Sequence, residues 1–138
     1  MRYLLDTNVL SELRKPGASE RVFSFVNDLN PVDTFASVIS LGEMVLGMTL
    51  LPEGLRKRNI AGWLRVLESS FGDRLLPCDV RIARIWGEAS GAAKARGINI
   101  PTSDGLIAAT ALSHGLHLLT RNVHHFEPLG VLVINPWD

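Results

Sequence analysis

Residues 3–10 read YLLDTNVL, a short apolar run that ends at an acidic residue, Asp6. The apolar part, residues 3–5, has the composition of a buried strand. Asp6 then has two interpretations. It can cap a following helix by accepting backbone N–H hydrogen bonds, or it can be a functional carboxylate at the end of the strand. Both interpretations place Asp6 at a junction between two elements.

The rest of the chain repeats this pattern of short apolar runs and longer amphipathic segments. Further strands are predicted at residues 34–39, 74–77, 117–120 and 131–135. Helical periodicity is found at residues 19–29, 40–51, 52–71, 79–96 and 101–113. Gly97 and Gly115 are well placed to end the last two of these helices. The alternation predicts a three-layer α/β/α domain with a mostly parallel central sheet of about five strands.

The composition is that of a folded globular protein, with 46% hydrophobic and 20% charged residues in 138. This length predicts a single domain over residues 1–138. The one cysteine, Cys78, excludes an intrachain disulfide bond, and no run reaches about 18 apolar residues, as a transmembrane helix would require. We therefore expect a soluble, cytoplasmic protein without a membrane partner.

Two further acids lie at the starts of predicted helices. Glu43 follows the second predicted strand, and Asp104 lies in the first turn of the last helix. Each has a structural interpretation, because Ser40 and Glu43 fit a capping box and Asp104 complements the helix dipole. In a parallel α/β sheet, however, such junctions lie at the carboxyl edge, where ligands bind. We therefore expect Asp6, Glu43 and Asp104 to converge at that edge.

Carboxylates that converge in this way predict a bound cation. They repel one another, so the pKa of at least one rises unless a cation lies between them. Oxygen ligands without His or Cys favour Mg²⁺ or Mn²⁺. Such an ion can polarise a phosphoryl oxygen and activate a water molecule.

Five motifs carry a resemblance to a known family. They are LLDTNVLSE at 4–12, SLGEMVLG at 40–47, SDGLIAATA at 103–111, TRNVHHF at 120–126 and VINPW at 133–137. Together, and in this order, they resemble the PIN-domain ribonucleases and, within them, the VapC and FitB-like toxins of bacterial toxin-antitoxin modules. The resemblance implies a PIN fold, Mg²⁺- or Mn²⁺-dependent cleavage of RNA and a homodimer. It also implies a toxin-antitoxin hetero-oligomer with a cognate small DNA-binding antitoxin.

The resemblance also assigns the site residues. Asp6, Glu43 and Asp104 match the catalytic acids that hold the metal, whereas the fourth family position, often acidic, is Asn122. An amide oxygen can coordinate a cation or orient a water molecule, but it adds no negative charge. His125 stands where close relatives often carry Asp. These two departures favour one tightly held ion over two.

Four polar residues beside these acids are candidates for contacts with phosphate or with the acids themselves. They are Thr7, Asn8, Thr120 and Asn122. Hydroxyl and amide groups commonly make sequence-neutral contacts with phosphate oxygens. Their alternative interpretation is structural, as turn and cap residues.

Two other functions remain open. Asn122 favours a non-catalytic PIN-like module that binds RNA or protein through a degraded site. Asp6 at the end of the first strand also fits a phosphatase with an aspartyl nucleophile, although Asn8 stands where that chemistry expects an acid-base Asp. The zinc hypothesis for His114 and His117 is weaker, because the pair straddles a predicted helix end and need not share a face.

One basic cluster and three tryptophans bear on nucleic-acid binding. Arg56, Lys57 and Arg58, followed by Arg65, form either a solvated helix face or a surface that guides RNA or an acidic partner. The tryptophans that could stack on bases are Trp63, Trp86 and Trp137. Trp63 and Trp86 lie among helical apolar residues, which favours a packing role for these two.

Taken alone, the charge balance argues against a nucleic-acid partner. Fourteen basic and fourteen acidic residues cancel, so the chain has no overall basic excess. The total conceals unlike parts, because residues 52–100 carry a net charge of +4 and the segments on either side carry −2 each. A net charge summed over the whole chain also does not reveal a local cluster of acids that could bind a metal ion. The balance therefore predicts only weak non-specific affinity for RNA.

Overall fold

Five short strands form one sheet in the computed structural model, which describes all 138 residues. The strands are β1 (Tyr3–Leu5), β2 (Thr34–Ser37), β3 (Leu75–Leu76), β4 (His117–Leu119) and β5 (Val133–Ile134). Their order is β3-β2-β1-β4-β5, and every neighbouring pair is parallel. Since β1 is the central strand, the residues that follow it lie in the middle of the carboxyl edge.

Seven helices cover the sheet. They are α1 (Thr7–Arg14), α2 (Glu20–Asn27), α3 (Val38–Thr49), α4 (Leu55–Phe71), α5 (Val80–Ala95), α6 (Thr102–His114) and α7 (Val123–Phe126). None of them is both long and apolar enough to span a membrane. The predicted α/β/α fold with a mostly parallel sheet is confirmed.

Neighbouring residues of the central strands face two separate cores. Leu4 and Leu118 are buried in one core, together with residues of α5 and α6. Leu5 and Leu119, the next residues along β1 and β4, are buried in the other, with residues of α1, α2 and α4. Successive strand side chains point to opposite faces, so the sheet is covered on both sides. Burial on both faces explains why the strands are continuous apolar runs rather than alternating ones.

Two helices and several boundaries differ from those predicted. No helix is predicted at α1 or α7, because α7 has only four residues and α1 only eight, which is too short for clear periodicity. Apart from β1, the predicted strands are longer than those observed, and the largest consequence is at β2, which is predicted to reach residue 39 but ends at Ser37. The Ser37 hydroxyl accepts a hydrogen bond from the Ile39 backbone N–H, and this cap starts α3 at Val38.

Two glycines end helices as predicted. Gly97 follows α5 with a φ of +79°, and Gly115 follows α6 with a φ of +64°. A side chain is strained in this left-handed region, so glycine is the residue that fits there. Gly115 turns the chain toward β4, and Thr120 and Asn122 follow that strand.

The Gly105→Ala substitution is expected to destabilise the fold by about 1–3 kcal/mol. Gly105 is buried in α6, where an added methyl group would lie 2.7 Å from Cδ1 of Trp86 and 3.1 Å from Oγ of Ser90. Both neighbours belong to α5, so this pair of helices would have to move apart or the indole ring would have to rotate. Urea unfolding of both proteins measures the difference in free energy.

Gly91→Ala is the matched control for this substitution. Gly91 lies on the exposed side of α5, and a methyl group there meets nothing within 4 Å. Alanine is the better helix former by about 1 kcal/mol, so this variant should unfold at a higher urea concentration than the wild type. Equal stability changes in the two variants would contradict the close packing of α5 on Gly105.

Candidate functional site

Asp6 is held at the end of β1 by hydrogen bonds to both carboxylate oxygens. Oδ1 accepts the Thr7 backbone N–H at 2.8 Å, which makes Asp6 the N-cap of α1. Oδ2 accepts the Thr120 hydroxyl at 2.7 Å and lies 3.4 Å from the amide nitrogen of Asn8. The capping interpretation is therefore confirmed, but capping uses only one of the two oxygens.

Burial makes this carboxylate unusual. Asp6 is only 3% exposed. Burial is the largest cause that raises the pKa of Asp6, to about 6, and the negative charges of Asp104 and Glu43 raise it further. The hydrogen bonds from Thr120 and Thr7 oppose this shift by stabilising the ionised form. Asp6 is therefore a carboxylate whose charge the fold disfavours at neutral pH.

Thr120 and Asn8 form a small network that supports Asp6. Thr120 is fully buried after β4, and its hydroxyl oxygen accepts the Asn122 backbone N–H at 3.1 Å and the Asn8 amide at 3.2 Å. The side-chain oxygen of Asn8 lies 3.3 Å from the Arg121 backbone nitrogen, which donates to it. These contacts hold the loop after β4 against α1 and orient the Thr120 hydroxyl toward Asp6.

Thr7 holds the Glu43 side chain at the same carboxyl edge of the sheet. The Thr7 hydroxyl donates to Oε1 of Glu43 at 2.7 Å and lies 2.9 Å from the hydroxyl of Ser40. The predicted capping box of Ser40 and Glu43 is wrong, because α3 begins two residues before Ser40 and is capped by Ser37. Ser40 is buried inside the helix instead. Glu43 is thus free of a capping role.

Asp104 lies in the first turn of α6, with 17% of its side chain exposed. Its Oδ2 is 3.2 Å from Nδ1 of His125 in α7. Asn122 is exposed at the start of α7, and its side chain makes no hydrogen bond within the protein. The fourth position of the site is therefore open to solvent. Asn122 and His125 both line a cavity of about 470 Å³, together with Arg121 and His124.

Asp6 lies within electrostatic reach of both other acids, but the three do not form a finished coordination shell. Asp104 and Glu43 both act on the ionisation of Asp6. No group of three His, Cys, Asp or Glu side chains is close enough to hold one metal ion. The donors that face this edge are carboxylate, hydroxyl and amide oxygens, which suit a hard cation.

Sequence reasoning missed two features near this site. The contact of His125 with Asp104 joins residues 21 positions apart, and no local pattern predicts it. Ser11 and Arg14 line a cavity of about 250 Å³ together with Thr7 and Glu43. They lie four and seven residues after Thr7, on one face of α1, so recognising α1 as a helix would have identified them.

The chain matches the PIN domain family model over residues 3–128. It is 40% identical over 138 residues to Toxin FitB of Neisseria gonorrhoeae, with 97% of each chain covered. It is 36% identical to VapC ribonuclease Y4jK of Sinorhizobium fredii, covering 98% of this chain and 97% of that one. A solved structure of FitAB bound to an IR36 DNA fragment matches with a TM-score of 0.92 and 37% identity, covering 99% of this chain and 96% of that chain. The protein therefore belongs to the PIN-domain family, together with FitB and VapC ribonuclease Y4jK.

Proposed function

We propose that this protein is a divalent-metal-dependent endoribonuclease and the toxin of a toxin-antitoxin pair. The observation that carries the proposal is the burial of Asp6 beside two further acids, Glu43 and Asp104, at the carboxyl edge of the sheet. Two relatives support it, since one is named Toxin FitB and the other a VapC ribonuclease.

The donor set fits Mg²⁺ or Mn²⁺. Asp6, Glu43 and Asp104 would hold the ion, directly or through water, with water spanning the distance where the side chains do not meet at one point. A cation there would offset the burial, and the smaller repulsion by Asp104 and Glu43, that raise the pKa of Asp6. When bound, the ion supplies polarisation of a phosphoryl oxygen and a lowered pKa for water. Asn122 adds no charge, which favours a single ion.

The chain's own residues position the reaction. Thr7 holds Oε1 of Glu43 and leaves Oε2 free to accept a proton from the attacking water. Thr120 and Asn8 fix the orientation of Asp6, and the free amide of Asn122 can donate to a phosphate oxygen. Water attacks phosphorus, the bond to O3′ breaks, and O3′ takes up a proton, so the products carry a 5′-phosphate and a 3′-hydroxyl.

The proposal extends to partners and setting. Residues 1–138 act as one domain, which forms a homodimer and, with a cognate small DNA-binding antitoxin, a hetero-oligomer that blocks RNA cleavage. The likeness to FitB in FitAB bound to DNA supports this assembly. A cytoplasmic setting is part of the same proposal, since the proposed substrate is RNA.

A non-catalytic PIN-like binding module is the second candidate. The neutral Asn122 at the fourth position favours it, as does the wide spacing of the acids. Titration with Mn²⁺ separates the two functions. If the site is degraded, the wild-type protein binds the ion no better than an Asp104→Ala variant does. A clear loss of Mn²⁺ affinity in that variant favours the nuclease.

RNA cleavage in the presence and absence of metal tests the proposal. Structured RNA incubated with the protein and Mg²⁺ or Mn²⁺ should be cut at internal positions, and sequencing of 5′-phosphate ends should locate the cuts. EDTA should abolish them, because the acids alone cannot stabilise the charge that develops on the phosphate. Undiminished cleavage in EDTA would refute metal dependence, and an absence of cuts under every condition would refute the nuclease.

A further inference from the structure

A side-chain donor from another element holds each acid of the candidate site. The pairs are Thr120 with Asp6, Thr7 with Glu43, and His125 with Asp104. In the third pair, Nδ1 of His125 lies 3.2 Å from Oδ2 of Asp104. A carboxylate only accepts hydrogen bonds, so the ring nitrogen that faces it carries the hydrogen and donates it. The neutral Nδ1–H tautomer and the charged ring both do so.

Asp104 has no other hydrogen-bond partner within the protein. Asp6 and Asp79 are fixed as helix N-caps by backbone N–H groups. Asp104 instead lies inside the first turn of α6, and its carboxylate caps nothing. The helix dipole favours its charge but does not select one rotamer of the side chain. Without the donor from His125, the Asp104 side chain would be free to turn away from the other acids.

The backbone that carries His125 is held in place on both sides. Its N–H donates to the Asn122 carbonyl at 3.1 Å, and the next residue, Phe126, is fully buried in the core shared with α5 and α6. The Asn122 backbone N–H in turn donates to the Thr120 hydroxyl at 3.1 Å. One short segment, residues 120–125, therefore carries the donors for two of the three acids.

Fold stability does not account for the contact between His125 and Asp104. The His125 side chain is 54% exposed, and pairs exposed to this degree contribute little to the free energy of unfolding. The adjacent His124 behaves as an ordinary surface residue, because its Nδ1 lies 3.6 Å from Oε2 of Glu127, three residues further along the chain. His125 differs, since it reaches a different helix and meets an acid of the site.

We infer that His125 is a positioning residue that orients Asp104 toward a bound divalent cation. The inference rests on the proposed function. A group that is hydrogen-bonded to a metal ligand fixes the direction of that ligand, and its removal typically weakens metal binding about 10–100-fold. His125 occupies Oδ2 of Asp104, while Oδ1 has no partner within the protein. One oxygen is thus held, and the other can bind the ion or one of its water molecules.

Titration of the metal-free protein with Mn²⁺ tests this role with two substitutions of the same shape. Leucine and asparagine both branch at Cγ, but only asparagine places a nitrogen donor where Nδ1 of the histidine was. The electron paramagnetic resonance signal of free Mn²⁺ measures binding. His125→Leu should raise the Kd about tenfold or more, whereas His125→Asn should stay within about threefold of the wild type.

His124→Leu is the matched control. It removes the neighbouring imidazole, which lines the same cavity as His125 but contacts Glu127 instead of an acid of the site. Its Kd should change by less than about twofold, because an exposed contact of this kind has little effect elsewhere. A loss in the control equal to that in His125→Leu would overturn the inference.

Three further results would also overturn it. They are an unchanged Kd in His125→Leu, equal losses in the leucine and asparagine variants, and a His125→Leu protein that melts well below the wild type in EDTA. A wild type that binds no Mn²⁺ would overturn both this inference and the proposed metal dependence. Since no RNA enters the titration, the expected affinities in a protein that never cuts RNA would refute the nuclease and leave the role of His125 standing.

Discussion

Asp6→Asn is expected to lower kcat/KM for RNA cleavage by about 1000-fold, which corresponds to about 4 kcal/mol of lost transition-state stabilisation. The substitution preserves the shape of the side chain and removes its charge. Asparagine caps helices as well as aspartate does, so the contact with the Thr7 backbone N–H is retained. The lost activity would therefore come from the charge at the centre of the site rather than from α1.

Asp79→Asn is the control for capping. Asp79 is the N-cap of α5 and accepts the Ile82 backbone N–H at 2.9 Å, but it is exposed and lies outside the site. Its variant should cleave labelled RNA at the wild-type initial rate. Circular dichroism and the melting temperature should show both variants folded. Wild-type activity in Asp6→Asn would mean that Asp6 is a structural cap only.

The position of Asp6 was predictable from sequence because it depends on one local rule. A buried run that ends at an acid places that acid at the carboxyl edge of a parallel sheet, and β1 lies in the centre of the sheet. The extent of β2 was not predictable in the same way. Val38 and Ile39 are β-branched and favour a strand, but the Ser37 cap starts a helix through them.

The surroundings of Glu43 and Arg56 could not be predicted from local patterns. Ser40 and Glu43 have the spacing of a capping box, and only the start of α3 at Val38 decides that Glu43 faces Thr7 instead. Arg14 and Arg56 are 42 residues apart, so whether they line one cavity depends on how α1 packs beside α3 and α4. Sequence periodicity describes which face of a helix is buried, but not which other helix it meets.

Without divalent ions, the contribution of Asp6 to the free energy of unfolding is expected to fall by about 2 kcal/mol between pH 4 and pH 7. The pKa of Asp6 is about 6 in the folded protein and 3.8 in an ordinary environment. Between these values the folded state keeps the proton that the unfolded state releases, so rising pH favours unfolding. Well above pH 6 both states are ionised and the loss is complete.

Urea unfolding in EDTA from pH 4 to pH 8 measures this loss as the difference between wild type and Asp6→Asn. The comparison cancels the acids that do not interact with Asp6. The stability of the variant relative to the wild type should rise by about 2 kcal/mol across that range, and a constant difference would show that Asp6 ionises normally. Mn²⁺ at pH 7 should stabilise the wild type far more than the variant, because a cation at this edge binds the ionised form that burial disfavours. The metal centre proposed for catalysis therefore predicts that ionised Asp6 destabilises the fold when no cation is bound, and that a bound cation reverses this loss.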